Sequence, residues 1–358
     1  MHDLVGRFWE DRMSSIDDLI DDVIETITVR LDQRAGVGGG LVKDMVLHHL
    51  GVGGKGLAGA GKSATSPAGK MVRPRLCLLA CQAVGGDAER AVGAAAAVEM
   101  IHNYTLIHDD IEDRDEMRRG RPTVWKVYGE AQAINAGDYL HSLAYVTLMN
   151  GLDAAKVEPK RSLDALRIVS RAGEWLCEGQ AQDIALQSRE EPPGEDEYLD
   201  MVTLKTGALM STAAELGALI GGGNSDHTTA LGKLGERIGV AFQIRDDVLG
   251  IWGDPGKTGK PAGADLTRKR CSYPVVWALA RADGKDRDAL LGVRSDSSFA
   301  AVTAAIAALE HVGARAAAEK VAAEMHRRAW SALEGRRLEP QAESELRQLT
   351  EFLTIRER

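Results

Sequence analysis

Two groups of carboxylates carry the spacing that chemistry needs: Asp109-Asp110-Ile111-Glu112-Asp113 and Asp246-Asp247. On a helix, Asp109 and Asp113 are four apart and stack on one face. Like charges stacked in this way repel, so the pair asks for a cation between them. Hard oxygen donors suit Mg²⁺, which takes one or two protein carboxylates and completes its shell with water and substrate phosphate. Asp246 and Asp247 lie in an otherwise apolar helical run with Ile238, Val240, Ala241, Val248 and Leu249. Adjacent aspartates there are costly to bury unless paired or metal-bound. A solvated acidic face is the ordinary meaning of one such run, but it accounts less well for two with clustered cations nearby.

The cations are Lys70 and Arg73 in Gly69-Lys-Met-Val-Arg-Pro74, Arg118 and Arg119, Lys205 in Lys205-Thr206-Gly207, and Lys260 and Lys269. Singly, each reads as a surface charge. With carboxylates suited to Mg²⁺ they suggest a polyphosphate pocket, in which arginine forks grip phosphate oxygens and lysine adds a point charge. The net charge is −9. It gives no reason to expect nucleic-acid or anionic-membrane affinity, so local cations or metal must attract any anionic ligand.

The elements that position these groups read as helices. The 358 residues are 44% hydrophobic and only 4% aromatic, and abundant alanine and leucine favour helix over sheet. Apolar periodicity predicts helices over about 3–33, 41–50, 74–85, 87–107, 110–118, 131–150, 161–188, 195–203, 205–221, 226–250, 270–283, 297–309, 312–333 and 340–354. No alternating β-branched run predicts a sheet. No composition break divides the chain, so residues 1–358 read as a single all-α domain. The start reads as lacking a signal peptide, and no run is long and apolar enough to predict a transmembrane segment. Cys77 and Cys81 read as buried reduced thiols of a cytoplasmic protein, not a zinc site. The glycine-rich loop 51–68 contains Gly56-Leu-Ala-Gly-Ala-Gly-Lys62-Ser63, a phosphate-loop pattern. It lacks the preceding strand and following helix that such a loop requires, and Pro67 argues against the helix.

In sequence order, Gly69-Lys70…Arg73-Pro74, His102, Asp109-Asp-Ile-Glu-Asp113, Arg118-Arg-Gly-Arg-Pro-Thr123, Gly137-Asp138, Gly179-Gln180…Asp183, Lys205-Thr-Gly207, Gln243…Asp246-Asp247 and Lys260…Lys269 together resemble the trans-isoprenyl diphosphate synthase family. The resemblance spans residues 69–269. It implies an all-α bundle around a deep cavity (the isoprenoid synthase type I fold), usually a homodimer, with isopentenyl diphosphate and an allylic diphosphate as substrates. It assigns three Mg²⁺ ions, with Mn²⁺ as a substitute, to Asp109, Asp113 and Asp246. Arg118, Lys205 and Lys260 fall on the allylic diphosphate, and Lys70, Arg73, His102 and Arg119 on that of isopentenyl diphosphate. Thr206, Gln243 and Lys269 complete the substrate set.

The chemistry this implies is head-to-tail condensation, in which the allylic C–O bond breaks, the isopentenyl double bond attacks the carbocation and a proton is lost. No side-chain nucleophile is needed, but water must be excluded. Tyr104 and Thr105, five and four positions before Asp109, occupy the places that set product length. An aromatic followed by a small residue there points to geranylgeranyl or farnesyl diphosphate. One departure is that Gly250 stands where the family's second motif has a third aspartate. That departure leaves two alternatives open on the same fold: a terpene cyclase, and a non-catalytic subunit of a heteromeric synthase. Retention of Lys70, Arg73, His102 and Arg119 argues against the cyclase, which has no use for a second diphosphate pocket.

Overall fold

A computed structural model of the chain describes residues 14–33, 40–51, 71–189, 191–253, 263–267, 271–296 and 298–354. Lys70, Lys260, Lys269 and residues 52–68 of the glycine-rich loop lie outside them. The elements in order are α1 (Ser14–Gln33), α2 (Leu41–Leu50), α3 (Val72–Ala83), a 3₁₀ turn (Ala88–Ala91), α4 (Val92–Glu112), β1 (Met117–Arg118), β2 (Arg121–Pro122), α5 (Val124–Tyr128), α6 (Glu130–Ala154), α7 (Pro159–Ser188), α8 (Glu195–Val202), a π-helical turn (Thr203–Gly207), α9 (Ala208–Ile220), α10 (Ser225–Trp252), α11 (Ala264–Thr267), α12 (Tyr273–Leu279), α13 (Gly284–Gly292), α14 (Phe299–His311), α15 (Ala314–Ser331) and α16 (Pro340–Thr354). The all-α class expected from composition is the class found. Among the described residues no single helix is long and apolar enough to cross a membrane.

The described residues form two compact units. The first comprises those up to Ile168 with Ala213–Thr228 and Leu338–Glu345, and the second comprises Val169–Thr212, Thr229–Arg337 and those from Leu346 onward. The first is organised on α4, against which α1, α3 and α6 pack. Ala94 to Ile101 is buried without a break, which is what a helix covered on several sides requires. Its alanines let α6 approach through Ala133, Ala136, Leu140 and Ala144, all fully buried. The apolar stripe of α1 contributes Ile16, Val23, Ile27 and Leu31 at helical spacing. Cys77 and Cys81 are buried, as expected, whereas Cys177 is exposed.

The second unit has two apolar clusters. One joins Ile251, Leu266, Leu279, Leu290, Val302 and Leu309. The other joins Tyr198, Met201, Val240, Ile244, Val248, Tyr273 and Ala318.

The expected helix over 110–118 does not form. Helix α4 ends at Glu112, and Arg114 takes a left-handed backbone at φ 56°. The chain then makes a small antiparallel hairpin, with Met117 opposite Pro122 and Arg118 opposite Arg121. Its two-residue turn, Arg119-Gly120, has φ of 51° and 73°, the double positive φ of a type I′ turn, which glycine adopts at little cost. The expectation of no sheet is corrected to this extent. Strands of two residues are too short to leave an alternating pattern. Helix α13 was also not anticipated, because Leu290 is its one buried residue and so it carries no apolar stripe.

Candidate active site

In the first unit the acidic motif straddles the end of α4. Asp109 lies in the last helical turn, and Asp113 caps the helix, its N–H donating to the Asp109 carbonyl at 2.8 Å. Both are partly exposed. Asp110, between them, is only 1% exposed and accepts from Arg118 Nε at 2.7 Å. Burial raises its carboxyl to about 6, against the pull of Arg118. The hairpin thus returns Arg118 to the helix it left. It is anchored by Thr123 Oγ1 and Trp125 Nε1, each donating to the Asp115 carbonyl at 2.9 Å.

Behind this motif sits a cationic cluster. Arg73 lies in the first turn of α3, and its Nε is buried with no hydrogen-bond partner among the described residues. His102 is pushed well below its ordinary value by burial, then by Arg73, Arg119 and Arg118. His49 falls from 6.5 to about 3, chiefly by burial and then by Arg118 and Arg119. Both histidines are therefore neutral in the folded protein. Their folded values lie below the unfolded ones, so the stability they contribute is present above about pH 6.5 and is lost as pH falls below it, for His49 down to about 3. We expect the Tm to fall between pH 7 and pH 5, and a His49→Gln variant to fall less steeply. Parallel curves from thermal melts over that range would contradict the assignment.

In the second unit Asp246 is exposed and Asp247 is buried. Asp247 accepts from the Tyr198 hydroxyl, from the Tyr273 backbone N–H at 2.7 Å and from Gln243 Nε2 at 3.1 Å. Burial still raises it to about 7. Thr206 Oγ1 donates to Gln243 Oε1 at 3.1 Å. Thr206 thus bonds Gln243, and Gln243 bonds Asp247; Thr206 and Gln243 are both residues expected on substrate. Lys205 Nζ donates to Asp183 at 2.5 Å. It stands on the π-helical turn, which fits closely between two glycines. A Cβ at Gly179 would lie 2.5 Å from the Lys205 nitrogen, and one at Gly239 would lie 2.8 Å from Gly207 Cα. These approaches explain glycine at 179 and at 239, and a Cβ at Gly207 would press on the Glu236 carbonyl at 3.1 Å.

Each acidic pair thus divides its labour. The first aspartate is the more exposed of the two, and the second is buried and bonded within the protein. Gly250 has its own explanation: a Cβ there would overlap the carboxylate of Asp265, itself 9% exposed.

Tyr104 is 8% exposed. Its ring lies 5.8 Å from that of His108 and 4.7 Å from that of His141, which in turn meets Tyr145 at 5.3 Å. Thr105 donates its hydroxyl to the His102 carbonyl at 2.8 Å.

The polyprenyl synthetase family model matches residues 55–310. The chain belongs to the polyprenyl synthetase family. It is 40% identical over 289 residues (81% of this chain, 87% of the other) to a short chain isoprenyl diphosphate synthase of Methanothermobacter thermautotrophicus. It is 41% identical over 263 residues (74% of this chain, 70% of the other) to a (2E,6E)-farnesyl diphosphate synthase of Mycobacterium tuberculosis. Among solved structures it is similar to a geranylgeranyl pyrophosphate synthetase of Pyrococcus horikoshii, with TM-score 0.85 and 34% identity, covering 98% of this chain and 99% of that one. As a polyprenyl synthetase it is a prenyltransferase, and its chemistry is elongation of a prenyl diphosphate.

Family membership implies Mg²⁺. Among the described residues no three His, Cys, Asp or Glu side chains converge on one point. An Mg²⁺ site does not require such convergence, because Mg²⁺ usually takes one or two protein carboxylates and completes its shell with water and substrate phosphates. Asp109 and Asp113, one helical turn apart and offering only oxygen, fit that demand.

Residues around the motifs that were not singled out from sequence are His49, Glu99 and Asn103 in the first unit and Tyr198, Tyr273 and Asp265 in the second. Glu99 had a signal, being an acid inside the apolar run Ala94–Ile101, where an unpartnered charge is expensive.

Proposed function

We propose that this chain, with Mg²⁺ and as a homodimer, condenses isopentenyl diphosphate head-to-tail with an allylic diphosphate to give geranylgeranyl or farnesyl diphosphate. The observation that carries the reading is the cluster of Arg73 and His102, both partly buried, with Arg119, whose charges act on one another in the same unit as Asp109 and Asp113. A cyclase or a hydrolase of one long diphosphate needs no such second anion pocket.

In this reading Asp109, Asp113 and Asp246 hold Mg²⁺, which when bound supplies positive charge to the departing diphosphate. Lys205, positioned by Asp183, and Arg118, positioned by Asp110, add donors as charge develops on the leaving oxygen. Arg73, His102 and Arg119, with Lys70, bind and orient isopentenyl diphosphate so that its double bond faces the ionising carbon. The proton lost after attack passes to the released diphosphate. Apolar surroundings exclude water from the cation.

Product length belongs to Tyr104 and Thr105. The tilted ring contact of Tyr104 with His141 makes a stiff aromatic floor, which a lengthening tail cannot displace without repacking. Tyr104→Ala is expected to shift the main product upward by at least one isoprene unit, read by chromatography of dephosphorylated products. An unchanged distribution would place the floor elsewhere.

The function is tested by incubating purified protein with labelled isopentenyl diphosphate and each allylic primer, with and without Mg²⁺. Elongated diphosphates that require Mg²⁺ are expected. Hydrocarbon from a long diphosphate alone would indicate a cyclase. Silence until a partner chain is added would indicate a subunit.

A further inference from the structure

The hairpin that carries Arg118 and Arg119 is seated on α2, a helix that holds none of the motifs. Helix α2 ends at Leu50 and is capped by Gly51 at φ 78°, whose N–H donates to the Leu47 carbonyl at 2.9 Å and to the His48 carbonyl at 3.3 Å. A helix end leaves its last carbonyls without intrahelical partners. Arg121 of β2 serves one of them, its Nη2 donating to the His49 carbonyl at 3.1 Å. The His48 ring donates from Nε2 to the carbonyl of Pro122, the next residue of the strand, at 2.8 Å. The same ring meets Tyr128 of α5 edge-on at 5.8 Å. Gly51 completes the seat, since a Cβ there would overlap the Arg121 guanidinium.

A cation at a helix C-terminus meets the negative end of the helix dipole, so Arg121 is favoured where it stands. Helix α2 is itself fixed on α4. The His49 side chain, 9% exposed, donates through Nε2 to Asn103 Oδ1 at 3.1 Å. His49 thus joins the hairpin through its carbonyl and α4 through its ring. The two site arginines depend on this seat unequally. Arg118 has an anchor of its own in Asp110. Arg119 stands in the turn at φ 51°, and the place of a turn residue is set by the strands it joins.

We propose that Arg121 and His48 are positioning residues for the isopentenyl diphosphate subsite: through them the end of α2 holds β2, and so sets where Arg119 stands. The proposal rests on the reading of Arg119 as a diphosphate ligand given above. It assigns neither Arg121 nor His48 a contact with substrate.

The test is steady-state kinetics on Arg121→Met, with each substrate varied in turn. KM for isopentenyl diphosphate is expected to rise about tenfold, the factor that ~1.4 kcal/mol represents. KM for the allylic diphosphate, and kcat with both substrates saturating, should stay within about twofold, as loss of binding at one subsite requires. Arg121→Lys keeps a donor for the His49 carbonyl and should recover part of the loss. His48→Phe keeps the ring against Tyr128 and loses the bond to Pro122, and should raise the same KM. Both KM values unchanged in Arg121→Met, or both rising together, would overturn the proposal. Arg119→Leu separates this from the underlying reading. If Arg119→Leu leaves KM for isopentenyl diphosphate unchanged, the diphosphate reading of Arg119 itself fails. If Arg119→Leu raises it and Arg121→Met does not, only the role of the α2 seat fails.

Discussion

Replacing Asp109 by asparagine is expected to lower kcat by roughly 10³-fold while leaving the melting temperature nearly unchanged. Asp109 is partly exposed at the end of α4, and asparagine keeps its shape while removing its charge. Its neighbour Asp110 has the opposite profile. It is 1% exposed and accepts from Arg118. Asp110→Asn should therefore weaken the hairpin and its Arg118 anchor, showing as lost stability together with lost rate. The pair of variants separates metal-facing from structural carboxylates within one motif. Kinetics and thermal melts on both proteins check it. Equal loss of stability in the two would contradict the division.

The second large effect concerns Gly250. Read as a lost metal ligand, the glycine invites restoration by Gly250→Asp. The structure predicts harm instead. A Cβ at 250 would overlap the Asp265 carboxylate, and a third carboxylate would join Asp265 and Asp247, whose carboxyl is already raised to about 7. Overpacking at such a site costs roughly 1–3 kcal/mol, and an unpaired buried charge adds to it. Gly250→Asp is expected to lower Tm by several degrees and to reduce turnover. A variant as stable as the parent with higher turnover would show that the aspartate was simply missing.

The helices that build the units were legible because apolar residues recur every three or four positions in them. The ranges read for α2 and α16 coincide with those found, and α7 and α10 begin or end within two residues of expectation. The end of α4 was not legible. A helix with Asp109 and Asp113 on one face continues naturally to 118 by pattern, and only the left-handed Arg114 and the Arg119-Gly120 turn redirect it. Isolated arginines carry no signal for such backbone.

The site was legible in its charged motifs because polyphosphate and Mg²⁺ demand particular side chains. What could not be read was the pairing among them. That Lys205 rests on Asp183, that Gln243 serves Asp247 and that Asp265 fills the space beside Gly250 depend on close approaches between distant segments. Neither Tyr198 nor Tyr273 falls in a motif read from the sequence. They are core residues, 1% and 2% exposed, but the Tyr198 hydroxyl and the Tyr273 backbone N–H serve a buried carboxylate.

The account depends on one chain holding two diphosphates through separate sets of residues. Calorimetric titration of isopentenyl diphosphate, with Mg²⁺ and a non-ionising allylic thio-analogue present, measures this directly. The prediction is saturable binding at one site per chain, abolished by Arg73→Leu and retained in Asp109→Asn. Binding lost in Asp109→Asn and kept in Arg73→Leu would contradict it.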